Sequence, residues 1–139
     1  MAKPDTQHSV LVDSDALVAW FYAYDAHHAR ALAIFDRIRK QRLSTVVQSL
    51  VVAETATFLS HRQGQTLARQ ILAFASQLPV IHITEDLQQE ALTLFASLEP
   101  QGTSIVTCAN VVVARRFTIP LIFSFHEVYT KQFKLTVAA

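Results

Sequence analysis

The 139-residue sequence has few of the residues that turn or cross-link a chain: two glycines, four prolines and one cysteine. Two distant glycines exclude the glycine-rich loops that cradle phosphate groups, and they argue against a turn-rich all-β fold. A single thiol, Cys108, excludes an internal disulfide and a cysteine-based zinc site. This cysteine content fits an intracellular compartment, and we expect a cytoplasmic protein.

Long apolar runs and a strong net charge are also absent. The longest uninterrupted apolar run, Ala16 to Tyr24, covers nine residues, whereas a membrane-spanning helix needs about 20. We therefore expect no membrane segment. The formal net charge of +1 provides no field over the whole molecule that would attract nucleic acid, so any contact with RNA must come from a local basic patch.

What the sequence does contain is an alternation of short apolar runs and helical periodicities, with 51% hydrophobic residues overall. Its length suits one domain over residues 1–139, with residues 1–8 as a loose lead-in. Strands are predicted at 9–12, 43–47, 80–83, 119–123 and 134–137. Because helical segments separate most of them, the pattern predicts an α/β fold: a three-layer α/β/α sandwich with a central, mostly parallel five-stranded sheet.

The stretch VLVDSDALVAWF places a carboxylate directly after the first strand. Val10 to Val12 form the apolar run and Asp13 follows it, at the sheet edge where open α/β folds bind ligands. Ser14 and Asp15 are both suitable caps for a helix over 16–24. The aromatic residues of this helix occupy more than one face, which is typical either of a dimer surface or of ordinary core packing.

A second acid, Glu54, belongs to a helix predicted over 49–62. Leu50, Glu54 and Phe58 are spaced by four residues, so Glu54 is expected on an otherwise apolar face. A charge there is costly unless it is paired or binds a metal, which favours a functional role. The alternative is a glutamate just beside the apolar stripe that reaches solvent or pairs with Arg62.

The apolar helix predicted over 105–117, with Ser104 as its cap, has two polar exceptions. Thr107 and Asn110 are three residues apart and therefore lie on one face. The pattern indicates either a functional pair or a threonine that bonds a backbone carbonyl within the helix.

Taken in order, four segments resemble the PIN-domain family, of the type found in VapC toxin ribonucleases. The segment VLVDSDAL places Asp13 at the leading acid of the family's first motif, and the segment VVAETATFL places Glu54 at the acid of its second motif. The four segments are VLVDSDAL, DAHHARAL, VVAETATFL and TSIVTCANVVVARRFTIPLIFSFHEVYTKQF.

The resemblance implies a five-stranded parallel sheet with three or four carboxylates at the carboxyl ends of its strands. These would hold Mg²⁺ or Mn²⁺, hard cations that prefer oxygen ligands, and would support cleavage of single-stranded RNA. Asp13 and Glu54 are then the expected catalytic and metal-binding residues. The resemblance also implies a homodimer and a small antitoxin-like protein partner that blocks the site.

Two acidic positions of that pattern are neutral here. Thr107 stands where the resemblance implies the third acid, and His126 stands where it implies the fourth. Nearby candidates to replace them are Asp15, Asn110 and Glu127.

Three hypotheses remain for this altered site. The first is an active nuclease with a rearranged acidic site. The second is a site rebuilt around Asp13, Glu54 and His126, because an imidazole nitrogen suits Mn²⁺, Zn²⁺ or Ni²⁺ better than Mg²⁺. The third is an inactive PIN-like module that binds RNA or a protein partner without cutting.

A competing resemblance involves the segment Asp13-Ser14-Asp15, which is similar to the nucleophile loop of haloacid dehalogenase-type phosphatases. In that family the first aspartate attacks phosphate and the second acts as general acid. Leu17 stands where that family has threonine or valine, and the closing segment FSFHE lacks the family's acidic pair. This hypothesis predicts a phosphoenzyme at Asp13.

Overall fold

The computed structural model describes residues 7–99 and 103–139. Most of the predicted lead-in therefore lies outside the described residues, although the Gln7 side chain donates a hydrogen bond to the Thr118 carbonyl at 3.1 Å. The strands are β1 Val10–Val12, β2 Thr45–Gln48, β3 Val80–Ile81, β4 Leu121–Phe123 and β5 Thr136–Val137. The helices are α1 Ser14–Phe21, α2 His28–Lys40, α3 Ser49–Gln63, α4 Gln65–Ala75, α5 Glu85–Ser97, α6 Ile105–Arg116 and α7 Val128–Lys131.

The five strands form one sheet in the order β3-β2-β1-β4-β5, and every neighbouring pair is parallel. This confirms the predicted fold class. The central strand is β1, with Val10 opposite both Thr45 and Leu121. Because all strands run the same way, the carboxyl ends of β1, β2 and β4 meet at one edge.

Side chains of β1 alternate between two hydrophobic clusters, as a strand's period of two requires. Val10 and Val12 pack with buried residues of α1 to α4, whereas Leu11 packs with residues of α6 and with Tyr129 of α7. Helices therefore cover both faces of the sheet. Among the described residues, no helix is long and apolar enough to span a membrane.

Helix α1 begins at Ser14 and ends at Phe21, so both bounds expected from the sequence were wrong. The cap is Asp13, whose side chain accepts a hydrogen bond from the Ser14 amide at 2.7 Å. Trp20 packs against Phe35 and Phe74 within the same chain. Its side chain thus contributes to the protein's own core, and a homodimer stays a prediction.

Helix α3 buries a different row of side chains from the one expected. Val51, Thr55 and Leu59 are buried, while Glu54 is exposed and Phe58 is 44% exposed. The interpretation of Glu54 as a charge on a buried apolar face was therefore wrong. Apolar residues occupy two adjacent rows of this helix. Its packing against α1 and α4 buries the row that contains Val51 and Leu59, and leaves the row of Glu54 and Phe58 outside.

Candidate metal centre at the sheet edge

Asp13 lies at the carboxyl end of the central strand and is 3% exposed. Its Oδ1 accepts hydrogen bonds from the Ser14 amide at 2.7 Å and from Asn110 Nδ2 at 2.9 Å. Its Oδ2 accepts a hydrogen bond from the Tyr129 hydroxyl at 2.7 Å. Hydrogen bonds to a charged acceptor are strong, and these fix the orientation of the carboxylate. Oδ2 accepts one of the described bonds and keeps capacity for a second partner.

A buried polar network behind Asp13 sets the direction of each donor. Gln48, at the end of β2, accepts a hydrogen bond from the Leu50 amide through Oε1 at 2.7 Å. Its Nε2 therefore faces Asn110 Oδ1 at 3.1 Å, which in turn directs Asn110 Nδ2 toward Asp13. Burial, and then the charge of Asp13, raise the pKa of the Tyr129 hydroxyl. Tyr129 therefore keeps its proton and acts as a donor.

Asp15 lies in the first turn of α1 and is not the cap residue, which is Asp13. Its Oδ1 accepts a hydrogen bond from the Ala16 amide at 2.8 Å, while its Oδ2 points toward the end of β4. Its Oδ2 accepts hydrogen bonds from the Phe125 amide at 2.7 Å and from Ser124 Oγ at 3.2 Å. Burial is the main cause that raises the pKa of this carboxyl, and the charge of Asp13 adds to it. Two carboxylates therefore lie close together with part of their solvation removed.

His126 completes a cluster of three potential ligands. Its Nε2 is 3.7 Å from Asp15 Oδ2, and its side chain is 61% exposed. One ligand atom each of Asp13, Asp15 and His126 lies within 4.8 Å of the others. A divalent cation at this position would offset the repulsion between the two carboxylates, so the donor set fits such an ion. Two oxygens and one imidazole nitrogen suit Mn²⁺ better than Mg²⁺.

Glu54 lies at the rim of a cavity beside this cluster. Its Oε2 accepts a hydrogen bond from Ser14 Oγ at 3.3 Å. Loss of solvation at the cavity rim, followed by the charge of Asp13, raises the pKa of the Glu54 carboxyl. The cavity has a volume of about 290 Å³. Its lining includes Asp15, Glu54, Thr55, Phe58, His27 and His126.

The other candidates named from the sequence have different surroundings. Thr107 belongs to the first turn of α6, where its amide donates to Ser104 Oγ at 3.0 Å. Glu127 is exposed, and its Oε1 accepts a hydrogen bond from Lys131 Nζ at 2.5 Å. The cluster found among residues 7–99 and 103–139 does not include Glu127. Asn110, by contrast, contacts Asp13 directly.

Gln48, Tyr129 and Thr55 were missed by sequence reasoning. Gln48 could have been found, because it directly follows a buried strand that ends at the same sheet edge as β1. Tyr129 gives no such signal, since a short turn and α7 bring it back to the edge. Thr55 is 1% exposed, and its Oγ1 has no hydrogen-bond partner among the described residues although the side chain lines the cavity.

The sequence matches the family model of the PIN domain over residues 10–130, and the chain belongs to that family. Its fold is similar to that of VapC20 from Mycobacterium tuberculosis, described as a sarcin-ricin loop cleaving toxin. That match has a TM-score of 0.77 and 24% identity, and it covers 88% of this chain and 93% of the other.

A second similar structure is a toxin–antitoxin complex from Klebsiella pneumoniae. This match has a TM-score of 0.62 and 12% identity, and it covers 94% of this chain and 97% of the other. No curated protein matches the sequence. The family assignment favours the PIN resemblance over the phosphatase resemblance.

Proposed function

We propose that this protein is a divalent-cation-dependent endoribonuclease of the toxin type, which cleaves single-stranded RNA. In this proposal Asp13, Asp15 and His126 hold the cation. The observation that carries the proposal is the approach of these three groups to within 4.8 Å at the carboxyl edge of the sheet. Membership of the PIN family and the fold shared with an RNA-cleaving toxin support it.

The donor set makes Mn²⁺ the preferred ion, with Mg²⁺ weaker because one of the three ligands is a nitrogen. A bound ion would activate water and neutralise charge that develops on the scissile phosphate. Asn110 and Tyr129 hold the Asp13 carboxylate in place. Glu54 serves the same site as an acid or base at Oε2, because its carboxyl lines the cavity that also contains Asp15 and His126, where loss of solvation raises its pKa.

A second candidate function is an inactive PIN module that binds RNA or a protein without cutting. One observation favours it: the buried Asp13 carboxylate already accepts three hydrogen bonds from neutral donors. A purely structural role for Asp13 would explain why neighbouring groups already supply its carboxylate with hydrogen-bond donors. Cleavage of RNA separates the two candidates, because the inactive module does not cut RNA whether or not it binds a cation.

The similar toxin–antitoxin complex supports a proposal about partners. A small antitoxin-like protein would cover the cavity beside Asp15 and His126, and the chain would form a homodimer. Size-exclusion chromatography with light scattering would measure the mass in solution. A monomeric mass at micromolar concentration would contradict the dimer.

Cleavage is best tested on an end-labelled pool of random single-stranded RNA, so that no target sequence needs to be known. We expect cleavage in Mn²⁺, slower cleavage in Mg²⁺ and none in EDTA. Asp15→Asn should abolish it. Glu127→Gln makes the same chemical change on the exposed surface and should leave it unchanged. A protein that binds Mn²⁺ at this cluster but leaves the pool intact would favour the inactive module.

A further inference from the structure

Two aromatic side chains form walls of the cavity beside the metal-ligand cluster. Phe58, on α3, is 44% exposed, and His27, just before α2, is also exposed. Both line the same cavity of about 290 Å³ that contains Asp15 and His126. Small-molecule sites begin at about this volume, ~300 Å³. The cavity therefore offers aromatic surface directly beside the proposed catalytic groups.

Each aromatic wall is accompanied by an arginine. The Arg62 guanidinium lies 5.1 Å from the centre of the Phe58 ring. His27 stacks on Phe125 at 4.4 Å, and the Arg30 guanidinium lies 5.5 Å from the centre of the Phe125 ring. Positive charge thus accompanies both of the aromatic side chains that line the cavity. Alternating aromatic and cationic groups are the usual means of holding single-stranded nucleic acid, with bases on the rings and phosphates on the arginines.

A buried polar atom points to a ligand at the same place. Thr55 Oγ1 has no partner among the described residues, although it is buried and its side chain lines the cavity. Unpaired buried polar groups are rare in native proteins and call for an explanation. A ligand with donors and acceptors on its edge would satisfy this hydroxyl, and a nucleobase has both.

We infer that Phe58 and His27 form a stacking subsite for one unpaired nucleobase of the RNA, next to the phosphate that is cut. Arg62 and Arg30 pair with the flanking phosphates. The inference rests on the proposed function and specifies part of its substrate. It also explains a preference for single strands, because bases within a duplex are stacked on one another and are not free to enter the cavity.

The test uses the whole protein in EDTA, where RNA is not cut, and measures fluorescence anisotropy of a labelled single-stranded RNA at low salt. Phe58→Leu should weaken binding at least about fivefold, the lower end of the effect of one lost base–aromatic stack. Phe58→Tyr keeps the ring and should bind within about twofold of the wild type. Phe95→Leu is the matched control, since Phe95 is 43% exposed on α5, outside this cavity.

A second readout reports stacking itself. A 2-aminopurine base in the RNA should be quenched by the wild type and by Phe58→Tyr, and less by Phe58→Leu. When the same RNA has an abasic site in place of the 2-aminopurine, the wild type and Phe58→Leu should bind it with equal affinity. Circular dichroism would confirm that the variants are folded.

The inference is overturned if Phe58→Leu binds RNA as Phe95→Leu does, or if it weakens binding to a duplex equally. If wild-type protein still cleaves RNA in that case, the proposed function survives, and the exposed ring is assigned to a protein partner. If the wild type neither binds nor cleaves single-stranded RNA, the proposed function fails and this inference fails with it.

Discussion

Asp15→Asn removes one of two neighbouring carboxylates while keeping the shape of the side chain. Ligand oxygens of Asp13 and Asp15 lie within 4.8 Å of each other. At an effective dielectric constant of about 20, two unit charges at that distance repel by about 3 kcal/mol. Without a cation, the substitution should therefore relieve a repulsion that the folded wild-type protein carries at neutral pH.

Lost hydrogen bonds offset part of this gain. Asp15 Oδ1 accepts from the Ala16 amide at 2.8 Å, and Oδ2 accepts from the Phe125 amide at 2.7 Å. An asparagine can accept only one of these bonds, which costs about 1–2 kcal/mol. We expect a net increase of about 1–2 kcal/mol in the free energy of unfolding in EDTA at pH 7. For a domain of this size that corresponds to a rise in Tm of about 3–6 °C.

Mn²⁺ should invert the order of stability. At 100 times its Kd, a ligand that binds only the folded state adds about 2.7 kcal/mol. The wild type should gain this increment, and Asp15→Asn should gain little. The assay is thermal unfolding of both proteins in EDTA and in Mn²⁺. Glu127→Gln serves as the control, because the Glu127 carboxylate is exposed and lies outside the cluster. We expect this substitution to change the Tm by no more than about 2 °C, both in EDTA and in Mn²⁺.

Two results would contradict the predicted order of stability. If Asp15→Asn is less stable than the wild type in EDTA, the hydrogen bonds of Asp15 outweigh its repulsion with Asp13, and the carboxylate is structural. If Mn²⁺ stabilises both proteins equally, the ion binds elsewhere on the molecule.

The remaining predictions concern pH, metal preference and the buried network. The pKa values of Asp15 and Glu54 are raised in the folded protein. These two carboxyls therefore add fully to the free energy of unfolding below their pKa values in the unfolded chain, near 4. This contribution is lost as the pH rises through their pKa values in the folded protein. In EDTA, the free energy of unfolding of the wild type, measured by urea titration, should therefore fall relative to that of Asp15→Asn as the pH rises above about 4. A difference between the two proteins that stays constant with pH would contradict this. His126→Asp should raise Mg²⁺ affinity relative to Mn²⁺ by at least about threefold in calorimetry, because it replaces nitrogen with oxygen; an unchanged ratio would remove His126 from the ligand set. Tyr129→Phe should destabilise the protein by about 1–3 kcal/mol in urea, because Asp13 Oδ2 loses its donor, and a loss under about 0.5 kcal/mol would mean that this hydrogen bond contributes little.

The sheet was predictable because its strands carry a strong local signal. Val10 to Val12 form an apolar run next to a suitable helix cap, and the structure places this run at the centre of the sheet. The Ser104 cap was also correct, since its Oγ accepts from the Thr107 amide three residues on. Helix α3 was harder, because Leu50 and Val51 begin two adjacent apolar rows and only tertiary packing selects one.

The site was only partly predictable, because tertiary contacts overrode local preferences. Asp15 is a good helix cap by local rules, yet its carboxylate bonds to the Phe125 amide, 110 residues further along the chain. Tyr129 reaches Asp13 across 116 residues. Local spacing carries no information about contacts of that range. The pairing of Asp13 with Asn110 and of Asp15 with His126 therefore had to come from the fold.

Asp13, Asp15 and His126 form the proposed divalent-cation site. The most direct test is a crystal of the protein grown with Mn²⁺, examined at a wavelength where manganese scatters anomalously. We expect one strong anomalous peak, within bonding distance of a carboxylate oxygen of each aspartate and of a ring nitrogen of His126. A map with no peak at this cluster in saturating Mn²⁺, or with the ion bound elsewhere, would rule out these residues as the cation ligands.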